Sequence, residues 1–305
     1  MKFLALAVML VLEQVRPLRE RALIDRALHD YAAFIERYAN AGRYRHGLLA
    51  WAVFVGSIAL VTALVHHILS GMSGLLGLIF SVGVLYATMG FRGFSDRFTE
   101  IQQSLRVGDL SAARESLAQG WGRGNDALAA GDIARAAIER GLLASHREVF
   151  AVMAWFVVLG PAGAVIYRLA SMLEQAWGRR ADTETETFSQ FAGQAFYWVD
   201  WVPARLTATA LAVVGNFEDA VYCWRMQADG WSPRTDGIIL ASAAGALGVR
   251  LGGAAHAEDH EPRPDLGTGD AADVDDMPDA AGLVWKALCL WMFVILVVSL
   301  AHVLG

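Results

Sequence analysis

Apolar residues in this chain gather into long uninterrupted runs rather than into alternating or thinly spaced ones. A helix crossing a bilayer needs about 20 mostly apolar residues. Four runs approach or meet that length. Residues 48–69 and 75–91 predict two spans joined by a short turn over HHILSGMSG, with Gly74, Gly77, Gly83 and Gly90 suited to close helix packing. Residues 149–170 predict a third span, kinked where Pro161 removes a backbone donor beside Gly160. Residues 283–304 predict the fourth, with Lys286 close enough to one end to reach the headgroups. The run 3–12 is shorter and reads as a retained, partly inserted helix, because no A-x-A cleavage pattern follows it. Residues 206–217 and 238–253 are rich in small residues and fit either lipid or the inside of a bundle. No period-2 alternation is long enough to predict a sheet. The expected fold class is all-α, a polytopic integral membrane helical bundle with a cytoplasmic helical loop region.

Between the spans the pattern changes. Residues 92–147 read as short amphipathic helices, with Asp109 placed to cap LSAARESLAQ and Asp132 placed to cap IARAAIERGL. Residues 255–278 are poor in aromatics and rich in Asp, Gly and Pro, so they predict disorder. The domain organisation that follows is a membrane domain over 1–254 including the helical insert 92–147, an acidic linker over 255–281 and a C-terminal transmembrane helix over 282–305. The cluster His256, Glu258, Asp259 and His260 has metal-binding residue types but no apolar framework, and reads as a solvated linker. The string GWGRGN lacks the strand and the Lys-Ser/Thr ending of a phosphate loop.

Composition supports the membrane reading: 55% of residues are hydrophobic and only 18% charged, against roughly 25% charged in soluble domains. A net charge of −6 excludes a general nucleic-acid binder, so no nucleic-acid partner is expected. Two cysteines, Cys223 and Cys289, form neither a disulfide framework nor a metal motif. Charge also sets a topology. Residues 13–46 carry seven Arg and residues 92–147 carry eight. Two predicted spans separate these segments, which puts both on one side, and the positive-inside rule makes that side the cytoplasm of a multi-pass inner-membrane protein. A single crossing by residues 149–170 then sends the acidic loop 255–281 to the periplasmic side. The C-terminus returns to the cytoplasm. His146, Arg147 and Glu148 read as a boundary cluster where a helix enters the bilayer. Asp200 and Arg205 read as an ion pair, a ligand contact or a helix cap at the interface.

Four strings carry more specific information: GDLSAAR at 108–114, RAAIE at 135–139, DWVPARLT at 200–207 and GALGVRLGG at 245–253. In this order on a polytopic helical chain they resemble the CobD/CbiB family of cobalamin-biosynthesis membrane proteins. The resemblance implies an adenosylcobinamide-phosphate synthase-like activity, joining aminopropanol or its phosphate to a propionate carboxylate of adenosylcobyric acid. Amide formation of that kind needs an activated carboxylate, which implies ATP and Mg²⁺ as cofactors. It also implies a corrinoid or phosphorylated small molecule as partner beside the lipid bilayer, with the oligomeric state left open. Arg114, Arg135, Arg205 and Arg250 are the implied anion binders, because a guanidinium reads carboxylate and phosphate bidentately. Glu139, Glu174 and Asp200 are the implied catalytic acids. Arg205 and Arg250 are expected to share a polar cavity with Asp200 or Glu139.

The chain departs from the family pattern at several acids. LLASHRE stands where an ENTSDG-like string is usual, and Glu174 alone keeps an acid in the NTLDSM-like segment. The two Asp that precede Pro-Ala-Arg fall on Phe196 and Tyr197. The Arg and Gly scaffold persists while much of the acid set is replaced, which implies a diverged member. The DWVPARL string and the N-terminal LEQVRPLRER also resemble AmpE-like inner-membrane proteins. That resemblance implies a regulatory modulator without enzyme activity as the alternative.

Overall fold

The computed structural model describes residues 1–15, 30, 44–121, 128–177, 186–253 and 264–304. The expectations for residues 122–125 of GWGRGN and for His256, Glu258, Asp259 and His260 fall outside the described residues. Helices make up nearly all of the described chain. They are α1 (Lys2–Val15), α2 (Tyr44–Met72), α3 (Gly74–Thr88), α4 (Phe91–Arg106), α5 (Leu110–Trp121) and α6 (Ala130–Ser145). A π-turn (His146–Phe150) leads into α7 (Ala151–Leu159), α8 (Pro161–Trp177), α9 (Glu186–Val214), α10 (Phe217–Gln227), α11 (Arg234–Leu247) and α12 (Met277–Leu304). Four stretches among the described residues are long and apolar enough to cross a membrane: Gly47–Met72, Gly74–Arg106, Ala130–Leu159 and Val274–Ala301. The chain is an all-α polytopic membrane bundle.

Two compact units divide the chain. The first is Met1–Gly90, Arg147–Pro203 and Ile295–Gly305, and the second is Phe91–His146 and Ala204–Val294. The insert therefore forms a unit with later sequence. In the first unit α2 packs on α3 and α8, and α1 on α3. Ala50, Phe54 and Val55 of α2 meet Leu169, Met172 and Leu173 of α8 and Ala192 of α9 in one apolar core. Fully burying a Leu, Val, Phe or Met side chain contributes about 1.5–3 kcal/mol. The turn expected over HHILSGMSG shrinks to one residue: α2 runs through Met72, and the Ser73 hydroxyl accepts from the Leu75 amide to start α3. The Lys2 ammonium donates to the Val157 carbonyl at 2.6 Å, which ties α1 to α7.

The single kinked span over 149–170 is corrected. Gly160 has φ +68°, a left-handed conformation that glycine adopts without Cβ strain, and α7 and α8 pack against each other beyond it. A Cβ on Gly163 would collide with the Trp155 carbonyl oxygen and lie 2.8 Å from the Leu159 side chain. Residues eight apart in a continuous helix are about 12 Å apart along the axis. Gly160–Pro161 is therefore the tip of a hairpin, and the chain returns instead of crossing once.

The second unit explains where the acidic segment goes. Helix α11 is buried from Thr235 through Ala246 and packs on α10 and α6, so its residues face protein rather than lipid. It leads into a two-residue strand β1 (Val249–Arg250), paired parallel with β2 (Asp270–Ala271), while Leu251 and Leu266 exchange both backbone bonds at 2.7 and 2.8 Å. Two findings correct the sequence reading. The disorder expected over 255–278 does not hold for residues 264–276, which are fixed by these bonds and by an Asp273–Asp276 capping box. The placement of the acidic loop across the membrane from the insert also fails. Asp273 Oδ1 lies 3.3 Å from the Cβ position of Gly131, whereas a hydrocarbon core is about 30 Å thick. The hairpin at Gly160 is the physical reason: it removes the single crossing on which that placement depended. Asp132 is also re-placed. Helix α6 starts at Ala130, so Asp132 sits inside its first turn, 3.8 Å from the Arg135 guanidinium, rather than at its cap. The Asp109 cap matches expectation, accepting from the Ala112 amide at 3.0 Å.

Candidate functional site

Arg135 and Glu139 are one helical turn apart on α6, so both side chains leave the same face. That face meets the glycine string. Glu139 Oε1 accepts the Gly252 amide at 2.6 Å, and Arg135 Nη1 donates to the Gly252 carbonyl at 3.4 Å. One backbone residue is thus held at both its donor and its acceptor by two side chains from 113 and 117 positions away. Gly252 has φ +83°, and a Cβ there would collide with the Pro264 carbonyl oxygen. Only glycine fits both the conformation and the space.

The strap after the acidic segment completes the arrangement. Gln227 binds Gly267 in both directions, donating to its carbonyl at 3.1 Å and accepting from its amide at 2.6 Å. Trp231 Nε1 donates to the Pro264 carbonyl at 3.0 Å. These contacts bring Asp265 beside the string, where its Oδ2 is 3.9 Å from Arg250 Nε. The pair is half exposed and that long, so it adds little stability. The point a Cβ would take on Gly253 lies 2.9 Å from Asp265 Oδ1 and 3.7 Å from Arg135 Nη1. A carboxylate and a guanidinium therefore face the same bare backbone, with Arg250 on the far side of the carboxylate. Arg135 Nε is buried without a hydrogen-bond acceptor.

The other expected site residues lie elsewhere. Arg114 gives Nε and Nη2 to the Leu128 carbonyl at 3.2 and 2.7 Å, joining α5 to the segment before α6. Arg205 is half-buried on α9 and engaged with other groups. Glu174 and Asp200 belong to the first unit. Glu174 Oε2 is 3.5 Å from Arg147 Nη1, and the Arg147 guanidinium lies 5.3 Å over the Phe196 ring. Asp200 is fully buried and accepts the Tyr167 hydroxyl at 2.8 Å. His146, expected at a bilayer boundary, is fully buried and shares a 2.9 Å hydrogen bond with the Thr207 hydroxyl. Three of the seven candidates, Arg135, Glu139 and Arg250, thus come together on the glycine string. An apolar groove in the second unit is lined by Phe91, Phe94, Phe98, Leu142, Val284 and Trp285 and includes none of them. Cys223 is buried, and that burial, with Asp219 nearby, pushes its thiol up and leaves it unreactive.

The CobD/Cbib protein family matches residues 4–284. The chain belongs to the CobD/CbiB family. It is 36% identical to the cobalamin biosynthesis protein CobD of Stutzerimonas stutzeri over 85% of this chain and 84% of that protein. It is 38% identical to the protein of the same name from Chromobacterium violaceum over 71% and 70%. Identity to the one from Mycobacterium tuberculosis is 28% over 79% of each. No solved structure matches the chain.

Asp265, Gln227 and Trp231 were missed by sequence reasoning. Asp265 lay inside a segment read as disordered, and Gln227 carries no motif. The ATP and Mg²⁺ that the sequence resemblance implies would need a cluster of acids to hold the metal. No group of three or more His, Cys, Asp or Glu side chains gathers among the described residues. Glu139 already accepts an amide, while Asp132 and Asp265 face guanidinium groups. The described acids do not form a metal site.

Proposed function

We propose that the chain serves the aminopropanol-joining step of cobalamin synthesis, and that the glycine string with Arg135, Arg250 and Asp265 holds the amino alcohol phosphate. The observation that supports this reading is the shared point over Gly253, 2.9 Å from a carboxylate oxygen and 3.7 Å from a guanidinium nitrogen. Aminopropanol phosphate carries an ammonium and a phosphate a few bonds apart. Asp265 suits the ammonium, and Arg135 and Arg250 suit the phosphate, because guanidinium groups bind it through paired donors. Glu139 acts on the backbone: it fixes the Gly252 peptide and with it the position of Gly253. Holding the amine in place is itself a large part of amide formation, since orientation converts a bimolecular attack into a local one. No step is routed here through metal or nucleotide. The Arg-rich segments are proposed to be cytoplasmic, in a cell inner membrane.

The test is complementation of a strain lacking the cobinamide-forming step, with binding of labelled aminopropanol phosphate to the purified protein. The unaltered chain should restore growth on cobyric acid. Loss of one charged hydrogen-bonded contact costs roughly 1.5–3 kcal/mol, so Arg135→Ala and Arg250→Ala should weaken binding about ten- to a hundredfold. A chain that reaches the membrane, restores nothing and binds nothing would overturn the proposal in favour of the AmpE-like regulatory reading.

A further inference from the structure

Helix α9 buries two polar side chains and leaves a row of apolar ones exposed. Asp200 and Thr207 are fully buried, bonded to Tyr167 and His146. Trp198, Val202, Leu206 and Val213 are exposed at 67%, 50%, 46% and 53%, and Thr209 is open beside them. Their positions advance by four, four, three and four residues, the spacing of a single helix face. In water this arrangement is inside out, since each square ångström of apolar surface left wet costs about 25 cal/mol. In a bilayer it is the expected one, because polar groups must find partners inside the protein. Average hydropathy conceals the feature. Asp200 and Arg205 lower the mean of α9, which is absent from the four candidate spans; Asp200 is buried on the opposite side, and half-buried Arg205 borders the stripe. We propose that this face of α9 contacts lipid acyl chains, as a lipid-facing helix additional to those four.

Two further points select lipid over a second copy of the chain. Half-exposed side chains of this size offer on the order of 100 Å² each, roughly 400 Å² for the four apolar ones, about half of what one partner of a stable dimer buries. Trp198 and Trp201 also fit the region where acyl chains meet headgroups.

Spin labelling in proteoliposomes of phosphatidylcholine and phosphatidylglycerol tests the proposal. Trp198→Cys, Val202→Cys, Leu206→Cys and Val213→Cys are each made in a Cys289→Ala background, with buried Cys223 left in place. Glu218→Cys, at an exposed acid in the first turn of α10, is the aqueous control. At the four stripe positions, collisions with oxygen should exceed those with a water-soluble nickel chelate several-fold, with the reverse at Glu218→Cys. Nickel access along the stripe would overturn the proposal by showing water there. Exclusion of both reagents, with spectral broadening that unlabelled chain dilutes away, would overturn it in favour of a second copy. Val202→Cys and Leu206→Cys remove the least bulk, so they decide the matter even if the Trp198 variant fails to assemble.

Discussion

The two units use buried polar groups differently. In the first, the long-range holds are mainly between side chains: Tyr167 with Asp200, Arg147 with Glu174, and the Arg147 guanidinium over Phe196, beside a Trp155 indole that donates to the Val199 carbonyl. In the second, one such pair joins His146 to Thr207, and the rest of those named meet backbone: Glu139 and Arg135 hold Gly252, Gln227 holds Gly267, Trp231 holds Pro264, and Arg114 holds Leu128. Pairing side chains fixes how helices pack, since each helix already satisfies its own backbone. Pairing a side chain with backbone fixes the path of a segment that is not helical. The second unit spends most of these polar groups on the shape of the glycine string and strap, as the proposed site would need. The first spends them on a hairpin and the helix beside it.

The largest effect follows from the least tolerant position. Gly252→Ala adds a Cβ where the Pro264 carbonyl stands and where φ is +83°. Left-handed strain alone costs about 1–3 kcal/mol, and the collision adds to it. Complementation should be lost and the detergent melting midpoint should fall, with the first unit's α7–α8 hairpin still protected from hydrogen exchange. If the hairpin loosens equally, the two units are not separate in their response and the contrast drawn above is wrong.

A matched pair of milder changes sharpens the same contrast. Glu139→Gln keeps an acceptor for the Gly252 amide but surrenders its charge, and Tyr167→Phe removes one donor to buried Asp200. An unsatisfied buried group costs about 1–3 kcal/mol, so Tyr167→Phe should lower stability more than Glu139→Gln does. Binding of aminopropanol phosphate should be nearly unchanged in Tyr167→Phe, whereas Glu139→Ala should abolish it and Glu139→Gln should restore most of it. Equal loss of binding in Tyr167→Phe would show that the first unit also shapes the site.

What the sequence disclosed divides along the same line. Long apolar runs announced α2, α3 and α12, because length against bilayer thickness is a one-dimensional property. The hairpin at Gly160 did not show, since a kink and a reversal use the same Gly-Pro pair and differ only in what packs afterwards. The strap 264–276 looked disordered for a similar reason. Its own residues bury little, and it is ordered by Gln227, Trp231 and the string it lies on. Arg135, Glu139 and Arg250 were legible through their strings, but Asp265 has meaning only once Gly253 is placed beneath it. Asp200 stood out as a charge in an apolar stretch, while its partner Tyr167 carries no motif.

The smallest effect concerns a place where a side chain holds backbone through a titrating group. Asp109 caps α5, and the Ala112 amide, followed by the Ser111 hydroxyl, holds its carboxyl below the usual carboxylate range. A depressed folded value means that the cap's contribution is complete above the ordinary Asp value of about 3.9. It is lost as pH falls through the lower, folded one. The cradle's bond between Gln227 and Gly267 has no such dependence, because an amide does not titrate in this range. Hydrogen-exchange protection at the Ala112 amide should therefore fall on acidification while that at Gly267 holds. Asp109→Asn keeps a capping oxygen of equal rank and should leave both amides level across the same pH range. Equal acid loss at Ala112 in Asp109→Asn would place the sensitivity in some other group of the second unit. It would also remove the distinction between titrating and neutral holds on its backbone.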